Sequence, residues 1–241
     1  MSAAATVATA VRVLQQVRHD PRTVGLVVVV PSVLVALLAW VYRGTDVFDR
    51  VGPAMVALFP FVVMFVVTSV TTLRERQTGT LERLMTTPLG RGDLVAGYAI
   101  AFGLLAVVQA VVVTLVALAL GLDVAGPPVA LVGVAVLDAV LGTALGLAGS
   151  AFAATELQAV QLMPAFVLPQ VLLCGLLRPR EDLPDVLREL SSLLPLSHAV
   201  DLMSAVTVAS TDGVAGSLLV VVGYVGAALV AGALTLRRRT P

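Results

Sequence analysis

The sequence predicts an all-α, polytopic membrane protein: six transmembrane helices, an N-terminal interfacial helix, and an external re-entrant helical hairpin before the last span. Three observations predict it. Of 241 residues, 59% are hydrophobic and only 12% are charged, with a mean hydropathy of +1.02. A soluble domain needs more charge to cover its surface. Six apolar runs are long enough, or nearly so, to cross a hydrocarbon core that takes about 20 helical residues. None shows the short, alternating pattern of barrel strands.

The elements follow in order. Residues 3 to 20 are amphipathic, with Val7, Val11, Leu14 and Val17 at helical spacing and Arg12, Gln15, Gln16 and Arg18 elsewhere on the wheel. That pattern predicts a helix lying in the membrane interface over residues 1–22, ended by Asp20-Pro21. The spans are expected at Val24 to Tyr42, Pro53 to Leu73, Leu94 to Leu120, Val129 to Ala154, Val160 to Leu177 and Val214 to Leu236. Trp40 and Tyr42 suit an interfacial anchor. The first apolar run is long enough to span, so no cleavable signal peptide is expected. No second soluble domain, low-complexity tract or internal repeat is visible, which makes 1–241 a single transmembrane domain and weighs against inverted-repeat transporters.

All 15 basic residues are arginine. Without lysine there is no P-loop of the GxxxxGK[ST] type, so any ATP this protein uses is hydrolysed on another chain. The Arg, Ala and Val bias points to a GC-rich bacterial genome. Six spans put both termini on one side of the membrane. Ten arginines fall on that side (Arg12, Arg18, Arg22, Arg74, Arg76, Arg83, Arg91, Arg237, Arg238, Arg239) and five on the other (Arg43, Arg50, Arg178, Arg180, Arg188). The asymmetry places both termini in the cytoplasm of a multi-pass plasma (inner) membrane protein. The one cysteine, Cys174, cannot form an intrachain disulfide and reads as a small hydrophobe.

The longest cytoplasmic loop, residues 74–93, contains Gly79, which breaks the second span, and Thr80, able to cap a short helix with Glu82 in its first turn. Leu81, Leu84 and Met85 make one face of that helix; Glu82, Arg83 and Thr86 make the other. Pro88 stops it. Two turns are not stable alone, so the helix needs a partner surface or sits passively on headgroups. The stretch Glu75-Arg76-Gln77-Thr78-Gly79-Thr80-Leu81-Glu82-Arg83-Leu84, followed by Thr87-Pro88, resembles the E-R-x-x-G-T-L-E-x-L…T-P motif of type 2 ABC exporter permeases, the daunorubicin-resistance-like branch above all. Leu183-Pro184, Leu190 to Leu194 and Pro195-Leu196-Ser197-His198-Ala199-Val200-Asp201 resemble that family's segment before its last helix. The family's small-residue-plus-Lys pair at the start of the third span reads Gly97-Tyr98 here.

The resemblance implies a permease without catalytic residues, cofactor or metal of its own. ATP and Mg would be bound by a separate ABC ATPase subunit. The permease would pair with a second permease subunit, identical or related, and would contact membrane lipid and no nucleic acid. Thr80, Leu81, Glu82, Arg83 and Leu84 would form a coupling helix in a groove of the ATPase, with Glu75 and Gly79 setting its approach. The amphipathic start would match the family's connecting helix. Residues 178–212 would form the external hairpin, with Pro184, Pro195, His198 and Asp201 in it. The substrate would be hydrophobic or amphipathic: a drug, lipid or glycolipid-like molecule.

Four polar residues stand as candidates for the translocation path: Gln109, Asp138, Glu156 and Gln161. An ionised Asp138 in mid-span costs roughly 2.5–3.5 kcal/mol on insertion scales, so it must be protonated, paired or facing water. Gln109, Thr114 and Thr143 are candidate partners. Gly142, Gly146 and Ser150 share one face of the same span, a close-packing stripe expected within the bundle. Pro164 and Pro169 interrupt the fifth span's hydrogen-bond ladder, as a static kink or a hinge. A non-transporting scaffold or regulatory subunit is the alternative function. An intramembrane enzyme would need a second carboxylate, a Ser with a base or a His cluster. Asp138 stands alone, and His19 and His198 fall on opposite sides.

Overall fold

The computed structural model describes residues 2–80 and 90–235, and every regular element among them is helical. In order these are α1 (Ala3–Arg18), α2 (Pro21–Val41), α3 (Val47–Gln77), α4 (Arg91–Ala119), α5 (Pro128–Gly149) and α6 (Glu156–Leu173), then a single 3₁₀ turn (Arg180–Asp182), α7 (Asp185–Ser192), α8 (Pro195–Thr207) and α9 (Val214–Thr235). Helices α2, α3, α4, α5, α6 and α9 are each long and apolar enough to cross a membrane. Helices are the form that satisfies a lipid-buried backbone locally.

Local chemistry sets where they begin and end. The Asp20 carboxylate accepts the Arg22 and Thr23 amides and the Thr23 hydroxyl, and Pro21 occupies the first turn of α2. Those bonds, the Thr23 hydroxyl first, hold the Asp20 carboxyl below its ordinary range. Thr155 caps α6 by accepting the Gln158 amide, so this span starts at Glu156, earlier than the apolar run alone suggests. It ends at Leu173 instead of Leu177 and carries Pro164 and Pro169 inside one continuous helix. Helix α3 is longer than its apolar core, extending from Val47 through Pro53 and Pro60 to Gln77. It stops at Gly79, whose φ of +71° is a left-handed conformation that glycine adopts without a Cβ penalty.

The bundle is built around α3, which packs along α5 and touches α2, α4, α6 and α8; α1 lies on α4, and α9 packs on α5 and α8. The α3–α5 seam is tight. A Cβ at Gly142 would sit 2.3 Å from the Phe61 carbonyl oxygen, and one at Gly146 would sit 2.5 Å from that of Phe65. The small-residue stripe therefore admits the backbone of a neighbouring helix within the bundle.

One end of the bundle carries α1, the two stems of the 78–90 loop and the end of α9, with Val13, Val17, Met64, Leu94, Tyr98 and Phe102 as its core. We call it the loop end. The opposite, hairpin end carries α7 and α8, with Leu196, Ala199 and Leu202 packed on Ala54, Leu58 and Phe61 of α3.

Helix α1 corrects one expectation. Its buried face is Thr6, Thr9, Ala10, Val13 and Val17, whereas Val7 and Val11 point outward. Small and hydroxylated residues let α1 approach α4 closely, and a Cβ at Gly97 would lie 2.6 Å from that of Thr9. Arg12, placed by the helical wheel away from the apolar stripe, turns into the protein.

Candidate functional site

Among the described residues, the loop end holds two of the three charged side-chain pairs that join distant segments. Glu75, in the last turns of α3, is 3% exposed and receives both Arg12 guanidinium nitrogens, Nη1 to Oε1 at 3.2 Å and Nη2 to Oε2 at 3.1 Å. Arg12 Nη2 also donates to the Tyr98 hydroxyl at 3.0 Å, and the guanidinium carbon lies 5.9 Å from the Tyr98 ring centre. Two parallel bonds to one carboxylate are the geometry that arginine favours. The Gly97-Tyr98 pair thus serves α1: glycine lets it in, and the phenol holds its arginine.

The other stem of the loop is built on Asp93, which is buried. Its carboxylate accepts the Gly90 amide at 3.2 Å, the Ser2 amide at 2.8 Å and the Thr6 hydroxyl at 3.4 Å. Arg74, one residue before Glu75, faces the other way. It forms a half-exposed bidentate pair with Glu156 at 2.7 and 2.9 Å. Gln77 Nε2 donates to the Ala154 carbonyl beside it, at 2.8 Å. The end of α3 is therefore strapped to α1 on one side and to the start of α6 on the other.

Between these stems, a Cβ at Gly79 would meet nothing within 4 Å among the described residues, and the Thr80 hydroxyl lies 3.0 Å from that of Thr78. Leu81, Glu82, Arg83 and Leu84 lie outside the described residues.

The four path candidates do not share one surface. Glu156 is at the loop end, engaged by Arg74, and Gln161 is exposed on α6. Gln109 and Asp138 are fully buried, and neither has a hydrogen-bond partner among the described residues. They do share a depth. Gln109 lies ten residues before the end of α4 at Ala119, and Asp138 lies ten residues after the start of α5 at Pro128. At 1.5 Å per residue each is about 15 Å from the connection between those two packed helices. The expected partners Thr114 and Thr143 instead donate to carbonyls of their own helices, those of Ala110 and Ala139. Of the three conditions set for Asp138, pairing and exposure to water are both unmet.

At the hairpin end, Pro184 precedes α7 and Pro195 occupies the first turn of α8. His198 places its ring nitrogens 2.9 Å from the Ser192 carbonyl and 3.4 Å from the Ser217 hydroxyl, a packing role. Asp201 pairs with Arg180. Gln170, which the sequence did not single out, fastens α6 to α8 by accepting the Leu196 amide at 3.3 Å. Ser191 donates to the Leu173 carbonyl at 2.7 Å and so ties α7 back to the end of α6. The residues that sequence reasoning missed at the loop end are Arg12, Asp93 and Tyr98. The signal for Arg12 and Asp93 was a charge at an otherwise buried helix position, legible only once α1 was known to lie on α4.

Comparison with known proteins agrees with this architecture. The model of the family described as "ABC-2 type transporter" matches residues 5–208. A protein named "Probable multidrug ABC transporter permease YbhR" from Escherichia coli K12 is 29% identical over 198 residues, 80% of this chain and 54% of that protein. "ABC transporter G family member 20" of Dictyostelium discoideum is 30% identical over 156 residues, 64% of this chain and 21% of that protein. The chain thus spans about half the length of the E. coli relative and a fifth of the Dictyostelium one. A multi-pass helical bundle matched over most of its length by one family model leaves a single assignment: the chain belongs to the ABC-2 type transporter family.

Proposed function

We propose that this chain is the membrane subunit of an ATP-driven exporter, with both termini and the 74–93 loop in the cytoplasm of the plasma membrane. ATP is hydrolysed on a separate ABC ATPase, because the chain has no lysine with which to build a P-loop. Two permease subunits enclose the path, and the substrate is an apolar or amphipathic molecule such as a drug or a glycolipid. Family membership supports the transport class, and the name of the E. coli relative, a probable multidrug permease, supports a drug-like substrate.

One observation carries the loop's role: both of its stems are braced by charge-assisted bonds to a buried carboxylate, Glu75 on one side and Asp93 on the other. A passive turn on headgroups has no need of such anchoring, whereas a segment that passes force to the bundle does. In this reading Leu81 and Leu84 fill a groove of the ATPase, and Glu82 makes a charged hydrogen bond there. The test is affinity purification of the tagged permease from its native membrane, followed by identification and quantification of the associated ATPase. Truncating a charged partner at a buried interface costs about 2–5 kcal/mol. Glu82→Ala and Leu84→Ala are therefore expected to lose most of the ATPase at unchanged membrane level, while Arg43→Ala at the hairpin end retains it. Full recovery of the ATPase with both loop variants would overturn the reading.

A further inference from the structure

Helix α1 and the residue that precedes it touch both stems of the 78–90 loop, through one backbone amide and two polar side chains. Its first turns supply the Ser2 amide and the Thr6 hydroxyl to Asp93, three residues after the loop's last position. Its middle supplies Arg12 to Glu75, three residues before the loop's first position. Ser2 and Arg12 are ten residues apart, about 15 Å along a helix. Between them Thr9 is seated on the bare backbone of Gly97. Beyond them Val13 and Val17 enter the apolar core.

Neither contact is needed to cap a helix. The loop-side end of α3 is already closed by the Thr78 amide and hydroxyl on the Arg74 carbonyl, and Asp93 caps Gly90 with one oxygen while reaching α1 with the other. What the contacts add is a bridge between two chain segments that the loop alone would leave free to splay. Helix α3 then continues from Glu75 through the glycine seam with α5 to Ala54, Leu58 and Phe61 under α8. Its 31 residues make a rod of about 46 Å, most of it buried.

We propose that α1 is a two-point clamp that fixes the spacing of the loop's stems, and that Arg12, Glu75 and Asp93 are positioning residues through which loop displacement reaches α3 and the hairpin end. This rests on the reading of the loop as the ATPase contact. The clamp makes the loop, α3 and α4 move as one body. Without it the loop follows the ATPase while α3 stays behind. A demonstrated response at the far end is the warrant such a path requires.

The experiment uses the intact permease–ATPase complex in lipid nanodiscs, with ATP, Mg and vanadate as the probe and hydrogen–deuterium exchange as the readout. In the wild type, nucleotide is expected to change uptake both in the 78–90 loop and in the 178–212 hairpin. In Arg12→Met the loop response is expected to remain, with bound ATPase within about twofold of wild type, while Glu75→Gln, whose residue also sets the loop's approach, is read at the hairpin alone. The hairpin response should fall by about fivefold or more. Exchanging the charges, Arg12→Glu with Glu75→Arg, should restore it, which a merely structural role would not do. If Glu75→Gln lowers the amount of folded protein, Arg12→Lys and Asp93→Asn grade the same contacts more gently and should give intermediate responses. A hairpin that fails to respond in the wild type, responds equally in the single variants, or stays silent in the exchanged pair overturns the clamp. Loss of the clamp with Glu82→Ala still shedding ATPase would leave the loop's docking role standing. Retention of ATPase by Glu82→Ala would remove the reading beneath it.

Discussion

Helices α3 and α9 are both apolar spans, yet 72% of the most apolar 18-residue stretch of α3 is buried against 11% in α9. Hydropathy does not separate them. The difference lies in what the neighbours offer. Gly142 and Gly146 let the α3 backbone approach α5 at two successive turns, and Thr68, Ser69 and Thr72 give α3 a side too polar for lipid. Helix α9 buries Val221, Ala228 and Gly232 and presents Leu219, Val222, Val230 and Leu234 outward. In lipid, an apolar residue gains little by leaving the bilayer for the protein, so packing shape decides which helix goes inside.

Breaking the seam of α3 should therefore have the largest effect. Gly142→Leu drives side-chain atoms into a carbonyl that a Cβ alone would meet at 2.3 Å. Overpacking a tight core costs about 1–3 kcal/mol or more, and here the obstacle is backbone that cannot rotate away. Fluorescence-detected size exclusion should show loss of the monodisperse peak, and a wild-type profile would mean that α3 and α5 are not so closely apposed. Asp138 lies on the same helix as those glycines and tests the opposite sign. It has no hydrogen-bond partner among the described residues, and an unsatisfied buried polar group costs roughly 1–3 kcal/mol. Asp138→Leu is thus expected to raise the thermal midpoint while lowering transport, and Asp138→Asn to be mild in both. A destabilised Leu variant would reveal a partner that α4 or α5 supplies.

The corresponding changes on α9 should be smaller. Tyr224 donates its hydroxyl to the Leu193 carbonyl, tying this helix to the end of α7. Tyr224→Phe removes one neutral hydrogen bond, about 0.5–1.5 kcal/mol, and a thermal-shift assay on purified protein should read that modest loss. Smallest of all is Leu219→Ala, outward-facing and 73% exposed, expected within about 0.5 kcal/mol of wild type. A large loss there would show that a second subunit covers this face of α9.

Much of the fold was legible because the bilayer imposes strong rules. Six runs of sufficient length require six helices, and Gly79, Pro21, Pro128 and Pro195 mark ends whose chemistry is local. The limits of the fifth span were missed by four residues at each end because capping by Thr155 and the turn at Gly175 outweigh apolarity there. The close-packing stripe was legible from its four-residue spacing. The face of α1 was not: Val7 and Val11 look like the buried stripe by hydropathy, but the surface on which α1 lies rewards small residues and a well-placed arginine. Of the candidate site, Glu75 was singled out from its motif, whereas its partner is 63 positions away and no periodicity links them.

By itself the sequence determined that the chain is a helical membrane bundle with six runs long enough to span, and roughly where each lies. Those are consequences of composition and run length, both local quantities. Only the tertiary structure decided which span occupies the centre, which face of α1 is inside, and that Arg12 and Asp93 grip opposite stems of one loop. Those depend on which backbones can approach closely and on pairs of charges brought together from distant positions, and neither is written in any single stretch of residues.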